Sequence, residues 1–297
     1  MTQTRCGFVA VVGRPNVGKS TLINAIMGAK ISIVTHKPQT TRHRILAVYT
    51  TATAQIIFVD TPGLHRRAGK AMNRLMNRTA VNALADADLV LFVSEATRWT
   101  DADGDVLKRL RSCRAPVIAL LNKVDRVRPK EQLLAAIAEM TERYDFAEIL
   151  PISAEKLDNL DALLAVIPGY LPESPPLFPE HMRTDRSAEF HAAEIIREKL
   201  TLLLHQELPY GLTVQIEGFE KDDDRLTINA IIWVERDSQK GIVIGKDGKV
   251  LKKVGQAARR ELRALHGCPV HLELWVKVKD NWSDSDQELL RLGYEVP

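Results

Sequence analysis

The chain has 297 residues, of which 45% are hydrophobic, 27% are charged and 5% are aromatic, and its formal net charge is +3. This length predicts two domains, and no apolar run approaches the roughly 20 residues that a membrane-spanning helix needs. The three cysteines lie far apart without CxxC spacing, which argues against a disulfide framework or a zinc site and fits a reducing cytosol; they are Cys6, Cys113 and Cys268.

The first 170 residues alternate between short apolar, β-branched runs and amphipathic stretches, which is typical of βαβ units. The sequence predicts strands over 8–12, 55–59, 89–94, 116–121 and 148–152. Apolar spacings of three and four predict helices over 20–27, 71–84, 103–111, 129–144 and 159–167. We therefore expect residues 1–170 to form an α/β domain with a doubly wound, mostly parallel sheet.

The composition of the chain changes after residue 170. Residues 171–185 hold four prolines and little periodicity, so we predict a linker over 171–186. Residues 187–297 then predict a smaller α+β domain in which the elements follow the order α-β-β-α-α-β. Its elements are a helix over 187–207, a hairpin of strands over 212–219 and 226–235 around an acidic turn at 222–224, helices ending near 244 and 265, and a strand over 270–278.

The strongest motif lies between the first predicted strand and the first predicted helix. Residues 13–20 read GRPNVGKS, a full match to G-x-x-x-x-G-K-[ST]. Glycines at both ends allow backbone N–H groups to face phosphate oxygens, and the helix N-terminus adds a favourable dipole. Lys19 is predicted to reach the β and γ phosphates, and the Ser20 hydroxyl to ligate Mg²⁺. The alternative is a chance glycine turn before a helix.

A second motif predicts which base is bound. Residues 122–125 read NKVD at the end of a predicted strand, where ligands of open α/β sheets bind. The Asp125 carboxylate would accept hydrogen bonds from N1 and N2 of guanine, whereas adenine would leave it unpaired. Ser153, Ala154 and Glu155 follow another strand, where a backbone amide could contact the base oxygen. Alone, this tripeptide carries little information and NKVD is also compatible with a plain polar loop.

In this order the motifs resemble those of Ras-like P-loop GTPases. Asp60 and Gly63 of the DTPG motif are then placed for indirect Mg²⁺ contact and for γ-phosphate contact through a backbone amide. The resemblance favours Thr41 over Thr40 as the residue that completes Mg²⁺ coordination when γ phosphate is present, from a mobile loop. Either threonine could instead be a solvated loop hydroxyl.

The residue after DTPG is Leu64, where Ras-like enzymes commonly have a glutamine that orients water. A leucine cannot do this, so we expect intrinsic hydrolysis no faster than the order of 10⁻³ s⁻¹. The position of Asn16 resembles that in cation-dependent relatives, which suggests that it helps to bind K⁺. The alternative is that Asn16 only shapes the loop.

Positive charge concentrates in the second domain. Residues 239–263 hold eight basic and two acidic residues, a local net charge of +6, centred on the tetrad GKDG at 245–248. Two glycines at this spacing allow about four nucleotides of RNA backbone to approach closely, while bases face an apolar groove. The tetrad, the element order and the basic helix together resemble a type II KH domain. A membrane-surface helix is the alternative, although the helix lacks large aromatic anchors. The predicted RNA-binding residues are Gly245, Lys246, Asp247, Gly248, Lys249, Lys252 and Lys253.

Along nearly its full length the chain resembles the Era family of bacterial GTPases, through GRPNVGKSTLINA, QTTRHRI, DTPGLH, FVSEATRW, NKVD, SAE, EIIREKL, ELPY, VIGKDG and CPVHLELWVKV. The resemblance implies GTP and GDP as ligands with Mg²⁺, and a role in 30S ribosomal subunit assembly through binding near the 3′ end of 16S rRNA. It also implies a cytoplasmic monomer with a peripheral contact with the inner membrane.

The resemblance also assigns roles to individual residues of the nucleotide site. The predicted catalytic residues are Lys19, Thr41, Gly63 and Asn16. The predicted nucleotide-binding residues are Gly13, Asn16, Val17, Gly18, Lys19, Ser20, Thr21, Asp60, Gly63, Asn122, Lys123, Asp125, Ser153, Ala154 and Glu155.

Two rival functions remain open at this point. In one, the basic domain of a GTPase binds a protein or an anionic membrane instead of RNA. In the other, the chain is a nucleotide-binding RNA chaperone with negligible turnover.

Overall fold

A computed structural model describes residues 4–63, 70–204, 208–222 and 224–294 of the chain. The contacts between Cα atoms divide these residues into two compact units. The first unit holds the described residues up to Asp185 apart from Lys70–Met72, and the second holds Lys70–Met72 and the residues from Arg186 onward.

The first unit is built on a six-stranded sheet with the strand order β2-β3-β1-β4-β5-β6. Every neighbouring pair is parallel except β2 and β3, which are antiparallel. The strands are β1 (Arg5–Val12), β2 (Ile45–Thr50), β3 (Ala54–Asp60), β4 (Leu89–Glu95), β5 (Val117–Asn122) and β6 (Glu148–Pro151). The helices are α1 (Lys19–Met27), α2 (Ala71–Ala85), α3 (Asp101–Leu110), α4 (Glu131–Arg143) and α5 (Leu160–Val166).

The doubly wound, mostly parallel sheet predicted from the sequence is confirmed. The strands β3 and β5 are buried along their whole length, as expected for strands covered on both faces. One strand, β2, is absent from the prediction. The parallel strands end at the same edge of the sheet, so the loops after β1, β3, β5 and β6, which carry the predicted motifs, leave the sheet on the same side.

The proline-rich segment predicted as a linker packs along the first unit through residue 185. Gln55, buried on β3, accepts hydrogen bonds from the backbone N–H groups of Leu177 and Phe178 at 2.8 and 2.9 Å. Farther along, the N–H of Val48 donates to the carbonyl of Arg183 at 3.0 Å. These contacts hold residues 177–183 against strands β2 and β3.

The second unit has a three-stranded sheet with the order β7-β8-β9, in which β7 and β8 are antiparallel and β8 and β9 are parallel. Its elements are α6 (Ala188–Leu203), β7 (Leu212–Asp222), β8 (Arg225–Val234), α7 (Asp237–Ile244), α8 (Lys249–His266), β9 (Val270–Val278) and α9 (Asp286–Arg291). The order predicted from the sequence is observed as far as β9, and α9 was not predicted. Helix α8 buries Val254, Ala258 and Leu262, spaced by four residues, against the sheet, so its basic residues are left on the opposite face.

Within the described part of the chain, every helix is too short or too polar to span a bilayer.

Candidate functional site

The loop between β1 and α1 adopts a shape that requires glycine at its end. Gly18 has a φ of 105°, and a Cβ atom there would lie 2.3 Å from Nδ2 of Asn122. Helix α1 begins at the next residue, Lys19. The ammonium of Lys19 donates hydrogen bonds to the carbonyls of Gly13 and Arg14, both at 3.0 Å. The loop therefore presents a helix N-terminus and a lysine at one point, as an anion-binding loop does.

The Lys19 side chain is buried, with a relative exposure of 7%. Burial lowers its pKa from 10.5 to about 8, and the carboxylate of Asp60 opposes this shift. An ammonium that is poorly solvated in this way interacts strongly with an anion, because the local dielectric constant is lower than that of water. The environment of Lys19 is suited to binding phosphate.

Three oxygen-bearing side chains predicted to bind Mg²⁺ meet beside this lysine. Oγ of Ser20 lies 2.9 Å from Oγ1 of Thr41 and donates to Oδ2 of Asp60 at 2.8 Å. Asp60 is fully buried, and its Oδ1 has no hydrogen-bond partner among the described residues. Burial raises the pKa of this carboxyl, while the hydrogen bond from the Ser20 hydroxyl and the charge of Lys19 oppose the rise. A buried carboxylate with an unpartnered oxygen and two hydroxyls fits Mg²⁺, which prefers hard oxygen donors.

The two candidate threonines, Thr40 and Thr41, have different hydrogen-bond partners in the structure. The hydroxyl of Thr40 lies 2.6 Å from that of Thr35 and donates to the carbonyl of Lys37 at 2.7 Å. Thr41 instead lies against Ser20. The geometry therefore favours Thr41 as the residue near the metal position.

The NKVD motif is joined to the phosphate loop through Asn122, which is 2% exposed. Its Nδ2 donates to the carbonyl of Val17 at 2.8 Å. Its Oδ1 accepts from the N–H of Lys123 at 2.8 Å and from the N–H of Ala154 at 3.0 Å. One side chain thus connects three of the predicted nucleotide-binding segments. The Ala154 amide, a candidate for the base oxygen, is engaged by Asn122 in this structure.

The candidate base-reading carboxylate is held in place by the next strand along the sheet. Oδ1 of Asp125 accepts from the Ser153 hydroxyl at 2.6 Å, and the N–H of Lys156 donates to the same hydroxyl at 3.1 Å. Glu155 is exposed and pairs with Arg126 at 3.1 Å. The motifs at 122–125 and 153–155 therefore form one site.

The remaining predicted residues lie around the phosphate loop. Nδ2 of Asn16 donates to the carbonyl of His36 at 2.7 Å, which links the phosphate loop to the segment that carries Thr41. Gly63 is buried, and a Cβ atom there would lie 3.0 Å from the Pro15 side chain. Val17 is buried, Thr21 is half-buried, and Leu64 lies outside the described residues.

Sequence reasoning missed the asparagine that shapes the segment leading to Thr41. Asn24 of α1 donates to the carbonyl of Ser32 at 2.7 Å and accepts from the N–H groups of Ile31 and Ser32 at 2.9 and 3.0 Å. A polar residue within an otherwise apolar stretch of a helix is the signal that could have indicated such a role.

In the second unit, the tetrad at 245–248 forms the turn between α7 and α8. Gly245 has a φ of 74°, and a Cβ atom there would lie 2.4 Å from a methyl group of Val250. Asp247 also has a positive φ, of 54°, and Gly248 directly precedes the first turn of α8. The turn is therefore tight and presents its backbone at the N-terminus of a long helix.

The basic side chains of this region face solvent. Lys246, Lys249, Lys252 and Lys253 are all exposed. Lys249 lies 3.7 Å from the carboxylate of Asp247, with both side chains about 70% exposed. Surface pairs of this kind are weak, so the lysines remain able to meet phosphates. A turn with close backbone access beside such a surface has the features of a KH-type RNA interface.

The two units define the class of protein as a P-loop GTPase that carries a KH domain. Residues 8–123 match the family described as "50S ribosome-binding GTPase", and residues 207–283 match the KH domain family. Curated proteins called GTPase Era are also similar. The one from Actinobacillus pleuropneumoniae serotype 5b is 51% identical over 98% of this chain and 96% of its own length, and that of Pseudomonas syringae is 50% identical over 99% and 98%.

Two solved structures agree with these relatives. One is a crystal structure of Era in complex with MgGDPNP and nucleotides 1506–1542 of 16S ribosomal RNA, at 41% identity and a TM-score of 0.94 over 98% of this chain and 99% of that one. The other is a single-residue variant of Aquifex aeolicus Era bound to GDP·AlF₄⁻, at 41% identity and a TM-score of 0.92 over the same shares. The chain belongs to the Era family of GTPases, and it is a GTP-hydrolysing enzyme.

Proposed function

We propose that this GTPase is a Mg²⁺-dependent switch whose KH domain binds single-stranded RNA near the 3′ end of 16S rRNA, and that it assists assembly of the 30S ribosomal subunit. The observation that carries the proposal is the turn at 245–248, where close backbone access and four exposed lysines occur together. The relative crystallised with the 3′ nucleotides of 16S ribosomal RNA supports the choice of RNA.

In the nucleotide site, Lys19 and the amides of the phosphate loop bind the β and γ phosphates. Ser20, Thr41 and Asp60 would hold Mg²⁺. When bound, the metal supplies positive charge that offsets the negative charge of the phosphates. Asp125 reads the guanine edge, and Ser153 keeps its carboxylate in place through the 2.6 Å hydrogen bond. The Gly63 amide contacts the γ phosphate.

The switch element is the segment that carries Thr41. Its hydroxyl contacts Ser20 and its chain is tied to Asn16 through the carbonyl of His36. Loss of the γ phosphate removes the ligand that favours this arrangement, so the segment relaxes after hydrolysis. RNA affinity is then expected to differ between the GTP and GDP states. By linkage, RNA should change the ratio of GTP affinity to GDP affinity by the same factor.

K⁺ is proposed as a second ion. The Asn16 side chain, whose Nδ2 donates to the carbonyl of His36, supplies an amide oxygen at the edge of the phosphate loop, and such an oxygen suits a hard cation. K⁺ in this position would add positive charge beside the phosphates. Turnover at least about tenfold faster in potassium than in sodium buffer is expected; equal turnover would reject this ion.

The RNA proposal is tested by reversing charge at the turn. In the double variant Lys246→Glu and Lys249→Glu, a labelled RNA of about 10 nucleotides should bind at least tenfold more weakly, because two phosphate contacts become repulsive. The matched control is Lys221→Glu with Lys277→Glu, which makes the same change of charge on strands β7 and β9. Equal RNA binding by the first variant and the unaltered protein would reject the KH interface.

Two further measurements decide between this function and its rivals. Phosphate release over many turnovers, with and without RNA, separates a switch from an RNA chaperone with negligible turnover. Flotation with vesicles of anionic phospholipid tests the predicted peripheral contact with the inner membrane. A monomeric state in the cytoplasm remains a prediction, which sedimentation velocity and cell fractionation test.

A further inference from the structure

A cluster of charged side chains lies where β4 ends, between the phosphate loop and the guanine loop. Oε2 of Glu95 accepts a hydrogen bond from Nη2 of Arg14 at 3.1 Å and from Nζ of Lys123 at 3.3 Å. Arg14 belongs to the phosphate loop, and Lys123 belongs to the NKVD motif. One carboxylate oxygen is therefore shared by the two loops that bind opposite ends of a nucleotide.

Two additional contacts close the cluster. Nε of Arg14 donates to Oδ2 of Asp103 at 2.9 Å, and Asp103 is fully buried at the start of α3. On the other side, Nζ of Lys123 donates to the carbonyl of Asn16 at 2.9 Å. The contacts form a series that leads from Asp103 through Arg14, Glu95 and Lys123 to Asn16. Glu95 contacts both cations of this series, Arg14 and Lys123.

The charges are partly shielded from solvent, with side-chain exposures of 12% for Arg14 and 20% for both Glu95 and Lys123. Burial favours the neutral form of Glu95, but the ammonium of Lys123 and the guanidinium of Arg14 outweigh it and hold the pKa of this carboxyl below its usual value. Hydrogen bonds with ionised partners are stronger than neutral ones. The cluster is thus an ionised network and not a set of loose surface pairs.

We propose that Glu95 is a positioning residue which couples the two loops, so that base recognition by the loop that carries Lys123 and phosphate binding at residues 13–20 depend on each other through its carboxylate. The inference rests on the proposed roles of these loops in binding nucleotide. Glu95 touches no substrate in this account. It acts by fixing where Lys123 and Arg14 lie before the nucleotide arrives, which reduces the ordering that binding must supply.

A double-mutant cycle on the full chain tests the coupling. The affinity for fluorescently labelled GDP is measured for Glu95→Gln, Lys123→Met and the combination. Glutamine keeps the size of the side chain and removes its charge. Each single change should weaken binding by about tenfold or more. The loss in the double variant should be smaller than the product of the two single losses, because both changes break the pair between Glu95 and Lys123. Each change also removes one separate contact, that of Glu95 with Arg14 or that of Lys123 with the Asn16 carbonyl.

Glu139→Gln supplies the matched control. It removes the charge of a carboxylate that pairs with Arg143 on helix α4 at 3.2 Å, outside the series of contacts around Glu95. Combined with Lys123→Met, its effect should multiply. If the effects of Glu95→Gln and Lys123→Met also multiply, Glu95 does not couple the loops. If Lys123→Met binds GDP normally, both the proposed role of the guanine loop and the coupling are overturned.

A purely structural role for Glu95 predicts a different pattern. In that case Glu95→Gln lowers the thermal midpoint of the nucleotide-free protein and leaves GDP affinity nearly unchanged, a result that overturns the proposal. A positioning role predicts weaker binding of GDP and GTP, with the turnover rate at saturating GTP within about threefold of the unaltered protein.

Discussion

Replacing Asn122 with alanine removes three hydrogen bonds at the centre of the nucleotide site. The carbonyl of Val17 loses its donor, and the N–H groups of Lys123 and Ala154 lose their acceptor. The bonds to Val17 and Ala154 are buried, whereas the one to Lys123 is partly buried. The variant therefore leaves at least two buried backbone groups without a partner.

The expected cost follows from the burial of these groups. A buried donor or acceptor left without a partner costs about 1–3 kcal/mol, so two of them cost about 2–6 kcal/mol. This cost is divided between affinity and stability. At about 1.4 kcal/mol per factor of ten, the share that falls on binding weakens affinity by at most about 10⁴-fold. Part of the cost is expected as a lower free energy of unfolding, because the bonds also form without nucleotide.

Two measurements on the same samples capture the whole effect. Fluorescence titration with labelled GDP gives the change in affinity, and urea unfolding without nucleotide gives the change in stability. Asn122→Asp is a second informative variant, because its carboxylate still accepts from Lys123 and Ala154 but places negative charge against the carbonyl of Val17. Asn82→Ala, at an exposed position of α2, is the control.

If Asn122→Ala binds GDP within twofold of the unaltered protein and loses less than about 1 kcal/mol of unfolding free energy, the reasoning is refuted. That outcome would mean that the guanine and phosphate loops keep their positions without this side chain.

Three further changes have distinct expected outcomes. Thr41→Ala should slow Mg²⁺-dependent phosphate release at least about tenfold, whereas Thr40→Ala should change it less than about twofold; equal effects would argue against Thr41 as the ligand. Gly245→Ala should lower the free energy of urea unfolding of the second unit by more than the roughly 1–2 kcal/mol expected for Gly248→Ala. The reason is that a Cβ atom at Gly245 would lie 2.4 Å from a valine methyl group, whereas one at Gly248 would meet nothing within 4 Å. A larger loss for Gly248→Ala would contradict this. Ser187 caps α6 through the N–H of Phe190 at 3.3 Å, so Ser187→Ala should cost about 1 kcal/mol in the same assay, and no loss would show that the cap is dispensable.

The sequence predicted most of the fold because most elements have strong local signals. The strand over 270–278 has the observed bounds, Val270–Val278, and the strand predicted over 55–59 is observed as Ala54–Asp60. Strand β2 was missed for a physical reason. It pairs with β3 through a turn at 51–53, and that turn lacks the glycine, proline, asparagine or aspartate that usually marks a hairpin. The helix Asp286–Arg291 has only six residues, too few for a clear periodic pattern.

The candidate site was predictable where a motif is contiguous and was not where contacts are distant in sequence. Lys19 and Ser20 lie in one contiguous motif, GRPNVGKS, whose pattern predicts phosphate and Mg²⁺ binding. Glu95 carries no such signal, since its partners Arg14 and Lys123 are 81 and 28 residues away. Only the parallel packing of β1, β4 and β5 brings these three residues together.

Selection of the guanine base by Asp125 is the claim on which the account most depends, and calorimetry with purified full-length protein tests it most directly. GTP should bind at least about 100-fold more tightly than ATP. Asp125→Asn should weaken GTP binding by a similar factor and improve binding of xanthosine triphosphate, because its amide donates a hydrogen bond to the carbonyl that xanthine has in place of the guanine amino group. Equal binding of GTP and ATP by the unaltered protein, or unchanged GTP binding by the variant, would contradict the account.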